Sequence, residues 1–177
     1  IFKEVYYGIM DTLVVPTDFC EDTRMLHTFL PKVIDSKSEK EKLIEFLNAI
    51  DTGIENITYD DSEKEILFIS CHKGRDGEDY LLNLYDESEG TIKSIMLFIY
   101  ARAAILSNSS IFVDELNIKL HPLLLKFIID LFYDEDSTAQ LIYTTHDTTL
   151  MDRKFFRRDQ IWFVQKDEFG YSELSAL

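Results

Sequence analysis

Three short segments of the sequence carry residue types that could act on a phosphate. In the first, Ile111-Phe112-Val113 runs directly into Asp114 and Glu115. A short apolar run of this kind reads as a strand buried on both faces of a parallel sheet. Ligands of such sheets gather at the carboxyl ends of the strands. Of two acids placed there, one can hold Mg²⁺ through its hydration shell and the other can polarise a water. The plainer reading is a strand that exits into a polar loop, and position alone leaves the two evenly balanced. In the second segment, Leu141–Thr145 again runs from apolar to polar and delivers His146 and Asp147. An imidazole at a strand end can hydrogen-bond a phosphate oxygen or an attacking water. A lone histidine more often satisfies a loop carbonyl, but two strands ending as acid–acid and His–Asp weaken that reading. The third segment, Glu87-Ser88-Glu89-Gly90-Thr91, precedes a long helix. Ser88 or Thr91 can cap the helix, and Gly90 lets backbone amides approach an anion at its positive N-terminus. An ordinary capped helix is the commoner case.

The elements that must position these groups follow from periodicity and breakers. Residues 1–23 read as short strands or irregular structure, with Pro16 as a breaker. Glu39–Ile50 places Leu43, Ile44, Phe46, Leu47 and Ile50 on one helical face, with Gly53 expected just beyond its C-cap. Ile54–Tyr59 and Glu65–Cys71 read as strands around Asp60-Asp61-Ser62, and Gly74 and Gly77 mark the loop before Tyr80–Leu84. Thr91–Leu106 reads as a helix with Ile92, Ile95, Met96, Ile99, Ala103 and Leu106 inward, broken at Ser107-Asn108-Ser109. A strand at Ser110–Val113, a helix at Pro122–Tyr133 and a second buried strand at Gln140–Thr144 complete the rhythm of an α/β sheet. Ile161–Gln165 and Tyr171–Leu174 form a terminal strand pair around Asp167–Gly170, with Trp162 packed in the core. We expect one lobe over residues 1–86 and a core over residues 87–177.

Composition narrows the functions. The 177 residues hold 18 basic and 33 acidic side chains, a net charge of −15 that argues against a general nucleic-acid-binding surface. Residues 1–90 hold 9 basic and 21 acidic groups, whereas residues 91–177 hold 9 and 12, so an anionic ligand is easier to place in the second half. Cys20 and Cys71 are isolated, which fits a reducing, cytoplasmic compartment better than a disulfide scaffold or a zinc knuckle. The longest apolar stretch, Ile95–Leu106, is too short for a bilayer and carries Arg102. No signal peptide is visible and no membrane association is expected. A GxxxxGK[ST] phosphate loop is missing from the sequence; Lys93-Ser94 matches its last pair, but Ile92 stands where the second glycine must be. The chain opens at Ile1 without Met, and we expect it to be a fragment of a longer protein.

Taken in order, Ser88-x-Gly90 before a helix, Ile-Phe-Val-Asp114-Glu115 and Thr-Thr-His146-Asp147 are similar to the second half of an ATP-binding-cassette ATPase. They resemble its signature motif, Walker B and switch histidine. More narrowly, the chain resembles the AAA-family ATP-binding proteins of bacterial abortive-infection and phage-defence systems. That resemblance rests on Asp51-Thr52-Gly53-Ile54, the 87–91 segment, Asp114-Glu115-Leu116 with Leu120-His121-Pro122, Thr144–Asp147, and Arg157–Phe163. It is specific over residues 87–165 and thinner over 39–72.

The resemblance implies a P-loop NTPase fold: a partial parallel sheet with a helical, signature-bearing lobe, lacking the Walker A half. It implies Mg-ATP hydrolysis in a head-to-tail nucleotide sandwich, hence a homodimer or higher oligomer, with a partner nuclease in such systems. Asp114 would help hold Mg²⁺, and Glu115 would orient the attacking water. His146 would contact the γ-phosphate, Ser88 and Gly90 would reach the nucleotide of the other subunit, and His121 would lie near the seam. Glu87 and Glu89 depart from the signature of many cassette ATPases, and two carboxylates beside a triphosphate should repel it. Without Walker A, the chain alone is expected to bind ATP weakly and not to turn it over.

Two rival readings remain at this point. One is a metal-dependent hydrolase with Asp114, Glu115, His146 and Asp147 as ligands. The other is a non-catalytic module whose acidic first half docks a basic partner. The basic cluster Arg153–Arg158 could touch a phosphate or a partner nucleic acid, but a solvated helix end with Phe155 and Phe156 inward is the commoner case for so short a charge run. His72 reads as structural, and His27 gives no signal.

Overall fold

The computed structural model describes residues 12–15, 23–50, 52–116, 122–134, 138–146, 148 and 156–177. Two compact units divide the chain, Ile1–Thr144 and Thr145–Leu177.

In the first unit, β1 (Thr12–Val15) and helices α1 (Thr23–Asp35) and α2 (Lys37–Ala49) precede an antiparallel sheet of β2 (Ile54–Asp60), β3 (Leu67–Lys73) and β4 (Asp79–Asn83). A single 3₁₀ turn at Leu84–Asp86 leads into the long helix α3 (Glu89–Ser107). Then come β5 (Ser110–Val113), α4 (Pro122–Asp134) and β6 (Gln140–Tyr143). Strands β1, β5 and β6 form a parallel sheet in the order β1-β5-β6, with Val15, Val113 and Tyr143 level across it. A strand from the first 23 residues therefore completes the sheet that carries Asp114.

Helix α3 is the centre of this unit. It packs against α1, α2 and α4 and onto all three parallel strands. Its residues Ile95–Arg102 are buried without a break, so it has no solvated stripe of the kind a surface helix shows. The inward face expected from spacing is corrected accordingly. Leu106 is 65% exposed, Ile92 and Ala103 are half-buried, and Leu97, Phe98 and Ala101 are buried instead. The apolar stretch, expected to be too short for a bilayer, forms a 19-residue helix that would meet the length and composition of a membrane span. Of that window, 67% is buried inside the protein. Arg102, 2% exposed, is held by a two-pronged ion pair: Nε donates to Glu39 Oε2 at 2.6 Å and Nη2 to Oε1 at 2.8 Å. The pair staples α3 to α2, while Phe46 of α2 packs its ring on Phe98 and Phe127, both at 5.2 Å between centroids.

Helix α1 has no counterpart among the sequence expectations. Its buried Leu26, Leu30 and Val33 keep helical spacing, but Pro31 within it masks the signal. Gly53 has the left-handed φ of +70° but does not stand just beyond the C-cap. The helix C-cap is Ile50, so Gly53 serves the turn into β2 instead. In β2 a bulge between Ile54 and Asn56 lets Ile54 and Ile57 both reach the core. The parallel strands are less buried than their sequences suggest. Along β5 only Ile111 and Val113 are buried, and β6 is a half-exposed edge among the described residues, with Ile142 47% exposed.

The second unit contains a 3₁₀ turn at Arg158–Gln160 and a hairpin of β7 (Trp162–Lys166) and β8 (Ser172–Ala176). Gly170 takes φ +85° in the turn, where Asp167 accepts from the amides of Phe169 and Tyr171. Trp162 is 55% exposed, so it is no core residue.

Candidate functional site

The carboxyl edge of the parallel sheet is organised by one side chain, Thr144, the residue that follows β6. Its N–H donates to the carbonyl of Val113 at 3.0 Å, and its carbonyl accepts from the amide of Leu116 at 3.0 Å. Its hydroxyl accepts from the Glu115 amide at 2.8 Å and donates to Asp114 Oδ1 at 2.6 Å. Asp114 is exposed and Glu115 half-exposed, immediately past the buried Val113. Glu115 holds a left-handed φ of +50°, a conformation that costs an L-residue roughly 1–2 kcal/mol. Strain of this kind persists where the surroundings over-determine it, and it clusters at functional sites. Burial, and then the Coulombic effect of Tyr133, push the phenol of Tyr143 up to about 12.

Sequence reasoning passed over Thr144 as a site residue. Only the register of the folded sheet shows its place: β5 and β6 end level, which puts the first polar residue after β6 beside the first acid after β5.

A single exposed carboxylate at a strand end is what a mostly hydrated Mg²⁺ shared with substrate phosphates requires, because this ion keeps several waters. Among the described residues no group of three or more His, Cys, Asp or Glu side chains could hold a metal ion by itself. His146 lies two residues past Thr144, at the start of the second unit. Asp147 and His121 fall outside the described residues.

At the start of α3, Ser88 is the N-cap. Its Oγ accepts from the Thr91 amide at 3.1 Å and lies 2.8 Å from Thr91 Oγ1. Gly90 sits in the first turn, and its carbonyl accepts from Ser94 Oγ at 2.6 Å. A Cβ built on Gly90 would meet only Ser88 Oγ, at an ordinary 3.8 Å. Nothing inside the fold requires glycine there, although glycine in a helix costs about 0.8–1 kcal/mol relative to alanine.

The two acids that flank Ser88 each have a partner within the fold. Glu87, with its side chain 9% exposed, accepts at Oε1 from Ser70 Oγ at 2.5 Å, and His72 Nε2 lies 2.6 Å from the same oxygen. Ser70 and His72 share the inward face of β3 with Phe68, so Glu87 ties the antiparallel sheet to the helix cap. Glu89 pairs with Lys93 one turn along, at 2.7 Å. The repulsion expected from this segment is therefore largely cancelled by internal partners. His72 is structural, as expected, and His27 has a partner too: its Nε2 lies 3.0 Å from the Tyr85 hydroxyl. In the basic cluster, Arg157 forms a two-pronged pair with Asp159, and the Arg157 guanidinium holds that carboxyl below its ordinary range. Residues 157–160 form a capped 3₁₀ turn rather than the expected helix end, and Arg153, Lys154 and Phe155 lie outside the described residues.

A three-stranded parallel sheet, helices packed on it and a polar carboxyl edge define an α/β domain of the kind that gathers ligands at its strand ends. Residues 22–152 match the family model described as "AAA domain, putative AbiEii toxin, Type IV TA system". The chain belongs to that family, and with it to the AAA-type, P-loop ATPase-like domains that bind nucleotide. No curated protein matches the sequence.

Proposed function

We propose that this chain supplies the Walker B, switch-histidine and signature portion of a cassette-type ATPase that hydrolyses Mg-ATP. The observation that carries the reading is the Asp114–Glu115 pair, locked at the end of β5 by Thr144 with Glu115 in a left-handed conformation. In this reading Asp114 holds the hydrated Mg²⁺, which supplies neutralisation of charge on the phosphates. Glu115 accepts a hydrogen bond from the water that attacks the γ-phosphorus, and His146 donates to a γ-phosphate oxygen. Catalysis of this kind is positioning and charge stabilisation more than covalent chemistry.

Ser88 and Gly90, at the open first turn of α3, meet the nucleotide held by a second copy, with His121 near the seam. The lysine and amide cradle of Walker A, absent from this sequence, is supplied by another part of the complete protein, and the chain by itself is inactive. The product is a homodimer or higher oligomer in the cytoplasm, in bacterial anti-phage defence, with a nuclease as partner.

The test is Glu115→Gln in the natural protein. Loss of a water-positioning carboxylate should lower ATP hydrolysis about 10²–10⁴-fold with ATP binding retained. An unchanged turnover rate in phosphate-release assays would remove Glu115 from the reaction and the reading with it.

A further inference from the structure

We propose that Thr144 is a positioning residue that fixes both the metal-facing carboxylate of Asp114 and the strained backbone of Glu115. This inference rests on the Mg-ATP reading above and adds to it a residue with no role assigned there. All four hydrogen-bonding functions of Thr144 go to residues 113–116: its N–H to Val113, its carbonyl to Leu116, and its hydroxyl to the amide of Glu115 and the carboxylate of Asp114. Only a hydroxyl can accept and donate at one atom within so small a side chain. Valine, equal in shape, can do neither.

The two hydroxyl bonds have different consequences. Donation to ionised Asp114 at 2.6 Å is charge-assisted and holds the carboxylate in one orientation. Outer partners of metal-binding carboxylates act in this way, and their loss typically costs 10–100-fold in metal affinity or activity. Acceptance from the Glu115 amide holds the peptide on one side of the left-handed residue, while the Thr144 carbonyl holds the Leu116 amide on the other. One threonine thus clamps both ends of the residue that the strain isolates. Were Thr144 only a closure between β5 and β6, its hydroxyl would affect stability and nothing else. The backbone bonds to Val113 and Leu116 would do the same work without it.

The experiment uses the natural protein with Thr144→Val, Thr144→Ala and Thr144→Ser. Mn²⁺ serves as the probe ion, and its binding in the presence of ATP is followed by electron paramagnetic resonance well below each variant's melting temperature. We expect Thr144→Ser to stay within about threefold of the parent. Thr144→Val and Thr144→Ala should need about 10–100-fold more Mn²⁺ for half-saturation. Mg²⁺ dependence of hydrolysis should move by the same factor, which a purely structural role would not produce. Thr144→Ala keeps the test open if the valine variant does not fold. If the parent binds Mn-ATP and all three variants match it, the positioning role falls and the Mg-ATP reading stands. If the parent binds no Mn-ATP, both fall together.

Discussion

Two pairs of acids, Glu87 with Glu89 and Asp114 with Glu115, look alike in the sequence and differ in the fold. Each pair sits where a helix or strand meets a loop, and each could face an anionic ligand or a cation. The first pair is consumed internally. Glu87 lies against Ser70 and His72 of β3, and Glu89 against Lys93 of its own helix. The second pair is organised by a residue that leaves Asp114 exposed at the sheet edge and twists Glu115 into a left-handed turn. Carboxylates therefore become available for ligand chemistry through the partners that tertiary structure supplies, and composition at a motif does not reveal which partners those are.

Breaking the internal pair should show mainly in stability. Glu87→Ala removes the acceptor of the His72 ring and leaves the Ser70 hydroxyl only the Leu82 carbonyl at 3.5 Å, and we expect a loss of about 1–2 kcal/mol in urea denaturation. A double-mutant cycle with Ser70→Ala should then recover a coupling energy. If Glu87→Ala is neutral, the tie between β3 and the helix cap contributes nothing. At the strand end the sign reverses: Glu115→Gly relieves the left-handed strain and should raise stability by about 0.5–1 kcal/mol while hydrolysis is lost. A variant both less stable and still active would overturn the contrast between the two pairs. The smallest effect belongs to Glu89→Gln, which removes an exposed i,i+4 ion pair and should cost about 0.3–0.5 kcal/mol, shrinking as salt is added. Melting curves at low and high ionic strength would read that difference.

Much of the fold was legible because it rests on local rules. Helix α2 has its apolar positions three and four apart, and α4 opens on Pro122 at a position that needs no amide donor. The hairpin β7–β8 turns where Asp167 and Gly170 can satisfy its geometry. Helix α1 was hidden by Pro31, whose helix-breaking tendency outweighed the spacing of Leu26, Leu30 and Val33. The orientation of α3 was misread because a helix surrounded by neighbours has no single inward face for periodicity to detect. Trp162 was misplaced for a related reason: alternation along a strand marks two faces without saying which one is covered. At the candidate site Asp114, Glu115 and the capping role of Ser88 were readable from their places at element ends. The joint work of Thr144, Ser70 and His72 was not, since each acts on a residue distant in sequence.

By itself, then, the sequence determined the order of helices and strands from α2 onward, the capped start of α3 and the emergence of acids after β5. These depend on dihedral preferences, spacing and side chains reaching their own neighbours. Tertiary structure alone decided that β1 joins β5 and β6, that Arg102 is buried against Glu39, and that Glu87 turns inward while Asp114 faces outward. The reason is that a hydrogen bond or ion pair between residues 17, 30 or 63 positions apart exists only after the chain has closed the intervening loop.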